Sequence, residues 1–242
     1  MIIKKHIPNA ITCCNLLCGC LAIIQALHGN LYMAALLVGL AAIFDFFDGF
    51  AARLLKVSSP IGKDLDSLAD MVTFGVVPGF VMYQLIEKSI FYYSDSLFQN
   101  PIPIFFNYIK YAAFFIPLFS AVRLAKFNND LRQSESFIGV PTPANAILIC
   151  SLPFLLEKNH QFDFLFNPFI LGSITIILSL MLIAELPLFA LKFKHFKWKG
   201  NEIRFIFLAT CLISIAIFKI AGIPLIIILY VLLSLVYNKI YK

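Results

Sequence analysis

The 242-residue chain is 61% hydrophobic and only 13% charged, and its mean hydropathy is +0.90. A water-soluble domain of this length could not bury so much apolar surface in one core, so this composition excludes a soluble enzyme and predicts a polytopic membrane protein. The formal net charge of +6 is explained by basic loops that face an anionic membrane surface. No nucleic-acid partner is needed to account for it.

Apolar segments follow one another along nearly the whole chain. A membrane-spanning helix needs about 20 apolar residues, and the sequence offers eight candidates, at 10–27, 31–55, 67–86, 103–122, 143–156, 164–183, 203–218 and 220–237. This pattern predicts an all-α polytopic membrane protein with about eight transmembrane helices. We expect residues 1–242 to form a single membrane domain.

The basic residues predict the orientation of these helices. If the N terminus is cytosolic, the outer side receives only four of the nineteen Lys and Arg residues, namely Lys88, Lys110, Lys158 and Lys219. The other fifteen fall on the inner side, as the positive-inside rule requires. Both chain termini are therefore expected to lie in the cytosol.

Residues 44–70, FDFFDGFAARLLKVSSPIGKDLDSLAD, contain five aspartates in a chain that otherwise avoids charge. An aspartate near the bilayer centre costs about 2.5–3.5 kcal/mol, so several together need a metal ion or a watery cavity. Asp45 and Asp48 share one face of the second helix, because helical residues three and four apart are neighbours. Asp66 and Asp70 share a face of the third helix for the same reason, whereas Asp64 points elsewhere and is expected to be solvated.

A turn at residues 58–62, SSPIG, breaks the helix between the two carboxylate pairs. It should bring the pairs together from antiparallel helices. Four carboxylates at low dielectric would repel one another unless a cation lay among them. Oxygen ligands without His or Cys favour Mg²⁺ or Mn²⁺, with Ca²⁺ possible, and such an ion suits a pyrophosphate substrate.

The whole pattern reads DxxDGxxARx8GxxxDxxxD and resembles the signature of the CDP-alcohol phosphatidyltransferase family. Every defined position is present, as Asp45, Asp48, Gly49, Ala52, Arg53, Gly62, Asp66 and Asp70. The resemblance implies a membrane enzyme in which an alcohol attacks the phosphorus of a CDP-linked lipid and releases CMP.

The resemblance also implies roles for individual residues. The metal ligands would be Asp45, Asp48, Asp66 and Asp70, with Asp70 also the catalytic general base and two Mg²⁺ or Mn²⁺ ions as cofactors. The nucleotide site would comprise Asn9, Thr12, Asp48, Gly49, Ala52, Arg53 and Gly62. Two of these have a simpler alternative, because Arg53 also fits a positive-inside anchor and Asn9 an N-cap.

Four further stretches resemble the smaller, membrane-embedded phosphatidylserine synthases of bacteria and archaea. They are IPNAITCCNLLCGCLAI at 7–23, RLAKFN at 123–128, FIGVPTPANA at 137–146 and ELPLFALKFK at 185–194. This closer resemblance implies CDP-diacylglycerol and L-serine as substrates, contact with membrane lipids, and a homodimer. It also implies the cytoplasmic membrane of a prokaryote, with the active site facing the cytosol.

Arg123 and Thr142 are the candidate residues for binding the acceptor alcohol. A serine carboxylate needs a cation, although Arg123 could equally be a cytosolic anchor and Thr142 a helix cap. The chain departs from the pattern at Lys126, Asn145 and Glu185, where the family has arginine, a small residue and a hydroxyl residue. We expect a six-helix family core within 1–190 and two additional helices within 203–238.

Other functions stay open at this point. The family signature is shared by enzymes that use glycerol phosphate or inositol as the acceptor. A cation transporter is an alternative from a different class, because intramembrane acids often line ion pathways, but here the acids gather at one end of the helices. A scaffold with interfacial ion pairs would not require such fixed spacing.

Overall fold

The computed structural model describes residues 2–97, 106–130, 137–158, 160–188 and 201–241, which are almost entirely helical. The α-helices are α1 (Ile2–Leu27), α2 (Leu31–Leu55), α3 (Pro60–Asp70), α4 (Val77–Leu97), α5 (Phe106–Ile109), α6 (Phe115–Asn129), α7 (Thr142–Lys158), α8 (Pro168–Ile183), α9 (Glu202–Phe218) and α10 (Ile223–Tyr241). A π-helix (Met71–Val76) joins α3 to α4 without a break, and a 3₁₀ turn (Lys110–Phe114) joins α5 to α6.

These elements form eight helical rods in the described residues, one for each predicted span. The predicted start of the fourth span at Pro103, and the basic segment 192–199, lie outside the described residues. Four rods are long and apolar enough to cross a membrane, at His6–Leu27, Leu31–Leu55, Pro60–Tyr92 and Phe106–Asn129. Shorter apolar helices follow at Thr142–Leu156, Pro168–Ile183 and Ile223–Val236.

Large apolar side chains cover the outside of the helices. Leu212 on α9 is 71% exposed and Leu118 on α6 is 61% exposed. In water such a surface would cause aggregation, whereas in a bilayer it faces lipid tails that are equally apolar. The prediction of an all-α polytopic membrane protein is confirmed.

The main core lies between α1, α2, α4 and α7. Phe74, in the π-helix, is fully buried there, together with Val38 from α2 and Ile149 from α7. A π-helix is rare and often occurs at functional sites, because its wider turn redirects the side chains that flank it. Here it directly follows Asp70, so the packing of the core and the position of that carboxylate are linked.

A second, smaller core connects the C-terminal helices to the rest of the fold. Phe207 of α9 and Tyr230 of α10 pack there beside Val140 and Leu188. Residues Phe137–Ile138 (β1) pair antiparallel with Pro187–Leu188 (β2), which ties the segment before α7 to the segment after α8. Gly139 has a positive φ of 77°, and a Cβ there would lie 2.6 Å from the Leu182 carbonyl oxygen, so glycine is required at this turn.

Candidate active site

The turn between α2 and α3 is built from local backbone signals. Lys56 ends α2 in the left-handed conformation (φ 51°), and the Val57 amide donates to the Ala52 carbonyl at 3.0 Å. Ser59 then caps α3, its Oγ accepting from the Gly62 amide at 3.0 Å, and Pro60 occupies the first helical position, which its fixed φ suits. The predicted helix break is confirmed, and it returns α3 towards the aspartates of α2.

Three of the predicted metal ligands converge across this turn. One carboxylate oxygen from each of Asp45, Asp48 and Asp66 lies within 4.8 Å of the other two. Asp48 is buried, and Asp45 and Asp66 are partly buried. Asp64 is exposed, as expected from its position on the other side of α3.

The fourth carboxylate, Asp70, lies next to this trio and close to Asp45. Asn15 of α1 donates from Nδ2 to Asp70 Oδ1 at 3.3 Å, and Thr73 of the π-helix donates to the Asn15 carbonyl oxygen at 3.2 Å. Asn15 is fully buried. Its side chain therefore connects α1 to Asp70, and its backbone connects α1 to the π-helix that follows Asp70.

Thr12, one turn earlier on α1, contacts the metal-ligand candidate Asp48. Its hydroxyl lies 2.6 Å from Asp48 Oδ2 and 3.1 Å from the Pro8 carbonyl oxygen. A single hydroxyl hydrogen serves one acceptor at a time, and hydrogen bonds to a charged acceptor are the stronger and shorter ones. We therefore assign the donated hydrogen bond to the carboxylate, which it holds in one rotamer.

A cavity of about 260 Å³ opens beside the aspartates, between α1, α2 and α3. Its lining consists of Pro8, Asn9, Thr12, Asp48, Gly49, Ala52, Val57, Ser58, Ser59, Gly62, Lys63 and Asp66. A Cβ added at Gly49 would meet nothing within 4 Å, so this glycine borders open space. At Gly62 a Cβ would lie 3.1 Å from Asn9 Oδ1, so glycine keeps α1 and α3 close.

The aspartate cluster has the chemistry of a metal site. In the described part of the chain, none of its carboxylates is ion-paired with Lys or Arg, and no His or Cys belongs to the group. Carboxylates brought this close repel one another unless a cation compensates them. The residues present therefore fit a bound metal ion held by oxygen ligands.

The sequence model that describes the CDP-alcohol phosphatidyltransferase family matches residues 5–184 of this chain. The match includes the aspartate motif, α1 and the helices up to the end of α8, and it ends before α9 and α10. The chain belongs to the CDP-alcohol phosphatidyltransferase family. The predicted resemblance is thereby confirmed.

Several curated members of the family are similar to this chain over most of its length. A protein of Bacillus subtilis (strain 168) is 34% identical over 82% of this chain and 95% of its own length. One from Helicobacter pylori (strain J99) is 32% identical over 79% of this chain and 74% of its own. One from Methanocaldococcus jannaschii is 29% identical over 74% of this chain and 72% of its own. All three are named CDP-diacylglycerol–serine O-phosphatidyltransferase.

Apart from Asp45 and Asp70 of the aspartate cluster, three predicted site residues of this family member do not line the cavity. Arg53 is exposed at the end of α2. Arg123 of α6 is 4% exposed, with its guanidinium carbon 5.5 Å from the centre of the Phe127 ring. Thr142 is buried where α7 begins. The cavity therefore brings together the nucleotide-site candidates other than Arg53, but not the two acceptor-site candidates.

Among the residues near the site, Lys63 and Asn15 make polar contacts that the sequence did not predict. Lys63 lines the cavity, and its Nζ donates to the Asn128 carbonyl oxygen at 2.9 Å, which links α3 to the end of α6. Asn15 reaches Asp70. A signal for both existed in the sequence, because Lys63 is the nearest cation to the aspartates of α3 and Asn15 lies on the same face of α1 as Thr12.

Proposed function

We propose that this protein is a phosphatidylserine synthase, which transfers the phosphatidyl group of CDP-diacylglycerol to the hydroxyl of L-serine and releases CMP in phospholipid biosynthesis. Membership of the family supports the reaction type, and the names of the similar proteins support serine as the acceptor. The observation that carries the proposal is the convergence of the Asp45, Asp48 and Asp66 carboxylates beside a cavity that Asp48 and Asp66 line.

Asp45, Asp48 and Asp66 would hold the metal ions, and Asp70 would complete the set of ligands. We propose Mg²⁺ or Mn²⁺, two ions, because hard oxygen ligands suit these cations, and Ca²⁺ would also bind such a site. When bound, the ions would stabilise the negative charge of the pyrophosphate and of the departing CMP. Thr12 holds the Asp48 carboxylate in position for this purpose.

The cytidine nucleotide would occupy the cavity between α1, α2 and α3. Gly49 and Ala52 leave room for it, and Asn9 and Thr12 supply polar groups on the opposite wall. Lys63, on the same wall as Asp66, would add a cation for a phosphate oxygen. Arg53 lies outside the cavity lining, and its exposed side chain would bind the phosphates or the anionic membrane surface.

Asp70 would act as the general base. A new bond forms between the serine hydroxyl oxygen and the phosphorus that carries diacylglycerol, and the bond from that phosphorus to the CMP oxygen breaks. The hydroxyl proton passes to Asp70 as its oxygen attacks. Asn15, which donates to Asp70 Oδ1, keeps the carboxylate in one orientation for this step.

Arg123 and Thr142 are proposed as the residues that bind the acceptor serine. The guanidinium of Arg123 would bind the serine carboxylate. The active site would face the cytosol of a prokaryote from the inner membrane, with both termini on that side. We propose a homodimer, with residues 1–190 as the catalytic core and 203–238 as two additional helices of the same membrane domain.

The decisive experiment measures CMP release by the purified protein from CDP-diacylglycerol. Mn²⁺ or Mg²⁺ is present, and serine, glycerol 3-phosphate and inositol are supplied in parallel. We expect release only with serine, and none after EDTA treatment. Release with another alcohol would leave the aspartate chemistry in place and overturn the acceptor assignment. No release from folded protein, with cation flux in vesicles instead, would favour a transporter.

A further inference from the structure

A second and larger cavity lies in another part of the molecule, between α7, α8 and α10. Its volume is about 790 Å³, and its walls are apolar, with Leu152 of α7, Leu178 of α8 and Val231 of α10 among them. The cavity shares no lining residue and no helix with the cavity at the aspartates. The proposed reaction therefore assigns nothing to it.

One polar side chain interrupts these apolar walls. Asn145 of α7 lines the cavity and is 1% exposed, and neither its Nδ2 nor its Oδ1 has a hydrogen-bond partner within the described residues. An amide buried without partners costs about 1–3 kcal/mol for each unsatisfied group. An unpaired donor and an unpaired acceptor therefore lie just behind an otherwise apolar wall. A rotation of the Asn145 side chain would present them to a ligand with a long apolar part and a polar group.

The length of the cavity fits half of a bilayer. Along α7 the lining runs from Asn145 to Leu155, which at about 1.5 Å per residue is about 15 Å. The hydrocarbon core of a membrane is about 30 Å thick, so each leaflet contributes about 15 Å. Asn145 lies in the first turn of α7. In the predicted orientation this is the cytosolic end of the helix, close to the depth of the lipid ester groups.

The cavity also opens sideways towards the surroundings of the protein. Ile177 of α8 is 56% exposed, and Ile228 and Leu232 of α10 are 50% and 52% exposed, although all three line the cavity. The gap between α8 and α10 therefore lets a chain enter laterally from the bilayer, without passing through water.

We infer that this cavity binds one acyl chain of a membrane glycerophospholipid that carries no cytidine nucleotide. The Asn145 side chain turns towards the cavity when the chain binds, so that Nδ2 donates a hydrogen bond to the ester carbonyl and Oδ1 is left to the water that hydrates the ester region. The bound chain fills the space between α10 and the α7–α8 pair. It therefore joins the C-terminal helix to the family core, independently of catalysis.

The test compares lipids that differ only at the proposed contact. Native mass spectrometry would measure the binding of dioleoyl phosphatidylglycerol and of its ether-linked analogue, which lacks the ester carbonyls, to the detergent-solubilised full-length protein. We expect the wild type to bind the ester about three- to tenfold more tightly, as one hydrogen bond would give. Asn145→Leu should bind both lipids alike, because the donor is gone and the apolar volume is kept.

A second pair of variants tests the position of the chain. Leu178→Trp would fill the cavity and abolish retention of either lipid, whereas Leu180→Trp is its matched control, because Leu180 is 50% exposed on the same helix and does not line the cavity. An ester preference that persists in Asn145→Leu would overturn the proposal, whether or not Leu178→Trp folds. So would a preference of more than about tenfold for CDP-diacylglycerol over phosphatidylglycerol that Leu178→Trp removes and Leu180→Trp keeps, because that would make this cavity, and not only the one at the aspartates, a substrate groove.

Discussion

The protein places acidic side chains within its apolar helices in two different ways. At Glu87 of α4, Lys110 supplies a cation 2.6 Å from the carboxylate. The same ammonium lies 5.2 Å from the centre of the Tyr83 ring and 5.8 Å from that of Tyr111. The Tyr83 hydroxyl adds a longer contact of 3.4 Å to Glu87. This charge is compensated by the chain itself.

The aspartate cluster has neutral partners instead. Thr12 donates to Asp48 and Asn15 donates to Asp70, while no Lys or Arg of the described chain forms an ion pair with either carboxylate. Hydroxyl and amide donors orient a carboxylate without cancelling its charge. The charge of Glu87 is therefore balanced within the chain, and the pair needs no further partner. The aspartate carboxylates are instead held in position for a cation that the chain does not supply.

Substitution of the proposed base should produce the largest effect. Asp70→Asn keeps the size of the side chain and removes its ability to take a proton, so the rate of CMP release should fall by about 10²–10⁴-fold. CMP binding, measured by calorimetry, should persist. Asp64→Asn on the exposed side of α3 is the control and should retain activity. Substantial turnover by Asp70→Asn would remove this residue from the role of base.

Substitution of a proposed metal ligand should have the second largest effect. In Asp45→Asn one charged oxygen ligand is replaced by a neutral amide, so the Mn²⁺ concentration needed for half-saturation should rise by about 100-fold or more. Paramagnetic resonance of bound Mn²⁺ would measure this directly, without relying on activity. An unchanged Mn²⁺ titration would show that Asp45 is not a ligand.

Loss of the hydrogen bond from Thr12 to Asp48 should lower metal affinity and activity less than loss of a metal ligand does. Thr12→Val removes the hydroxyl and preserves the shape, and loss of such support typically lowers metal affinity or activity by about 10- to 100-fold. Cys13→Val is the matched control, because the neighbouring Cys13 is exposed. Equal Mn²⁺ affinity and turnover in Thr12→Val and wild type would contradict the positioning role.

The smallest effect is expected at Glu87, whose charge is balanced by Lys110. Lys110→Met, Glu87→Gln and the double variant should reveal a coupling of about 0–1 kcal/mol, the range typical of surface pairs, because neither side chain is fully buried. For a chain of this size that corresponds to a change of about 2–4 °C or less in melting temperature. Kinetics and metal dependence should match the wild type. A shift in the Mn²⁺ titration of these variants would break the distinction between the two groups of acids.

The two groups of acids also differ in how far the sequence predicts them. The spacing of Asp45 with Asp48 and of Asp66 with Asp70 follows from helical periodicity, and the SSPIG turn signals that the helices fold back. The Glu87–Lys110 pair connects residues 23 positions apart. The NPIP stretch between them signals a break in the helix, but it does not determine which residues meet across that break. Formation of the pair depends on how α4 packs against the α5–α6 rod, which no local pattern encodes.

The positions of Arg123 and Thr142 show a similar limit. Both lie in blocks that the family resemblance singles out, yet neither lines the cavity between α1, α2 and α3. A motif identifies a residue type at a chain position, but the distance between two such positions depends on the packing of whole helices. Their role towards the acceptor stays a prediction.

By itself, the sequence determined the number and approximate positions of the helical rods and the membrane environment. It also determined the identity of the metal-ligand candidates. Hydropathy and the 3.6-residue period are local properties, and the chain expresses them wherever its partners lie. Only the tertiary structure decided that Thr12 reaches Asp48 and Asn15 reaches Asp70, across 36 and 55 residues, and that Asn145 lies in the wall of an apolar cavity. Those contacts follow from the packing of helices distant in the chain, and that packing is a collective property of all their surfaces.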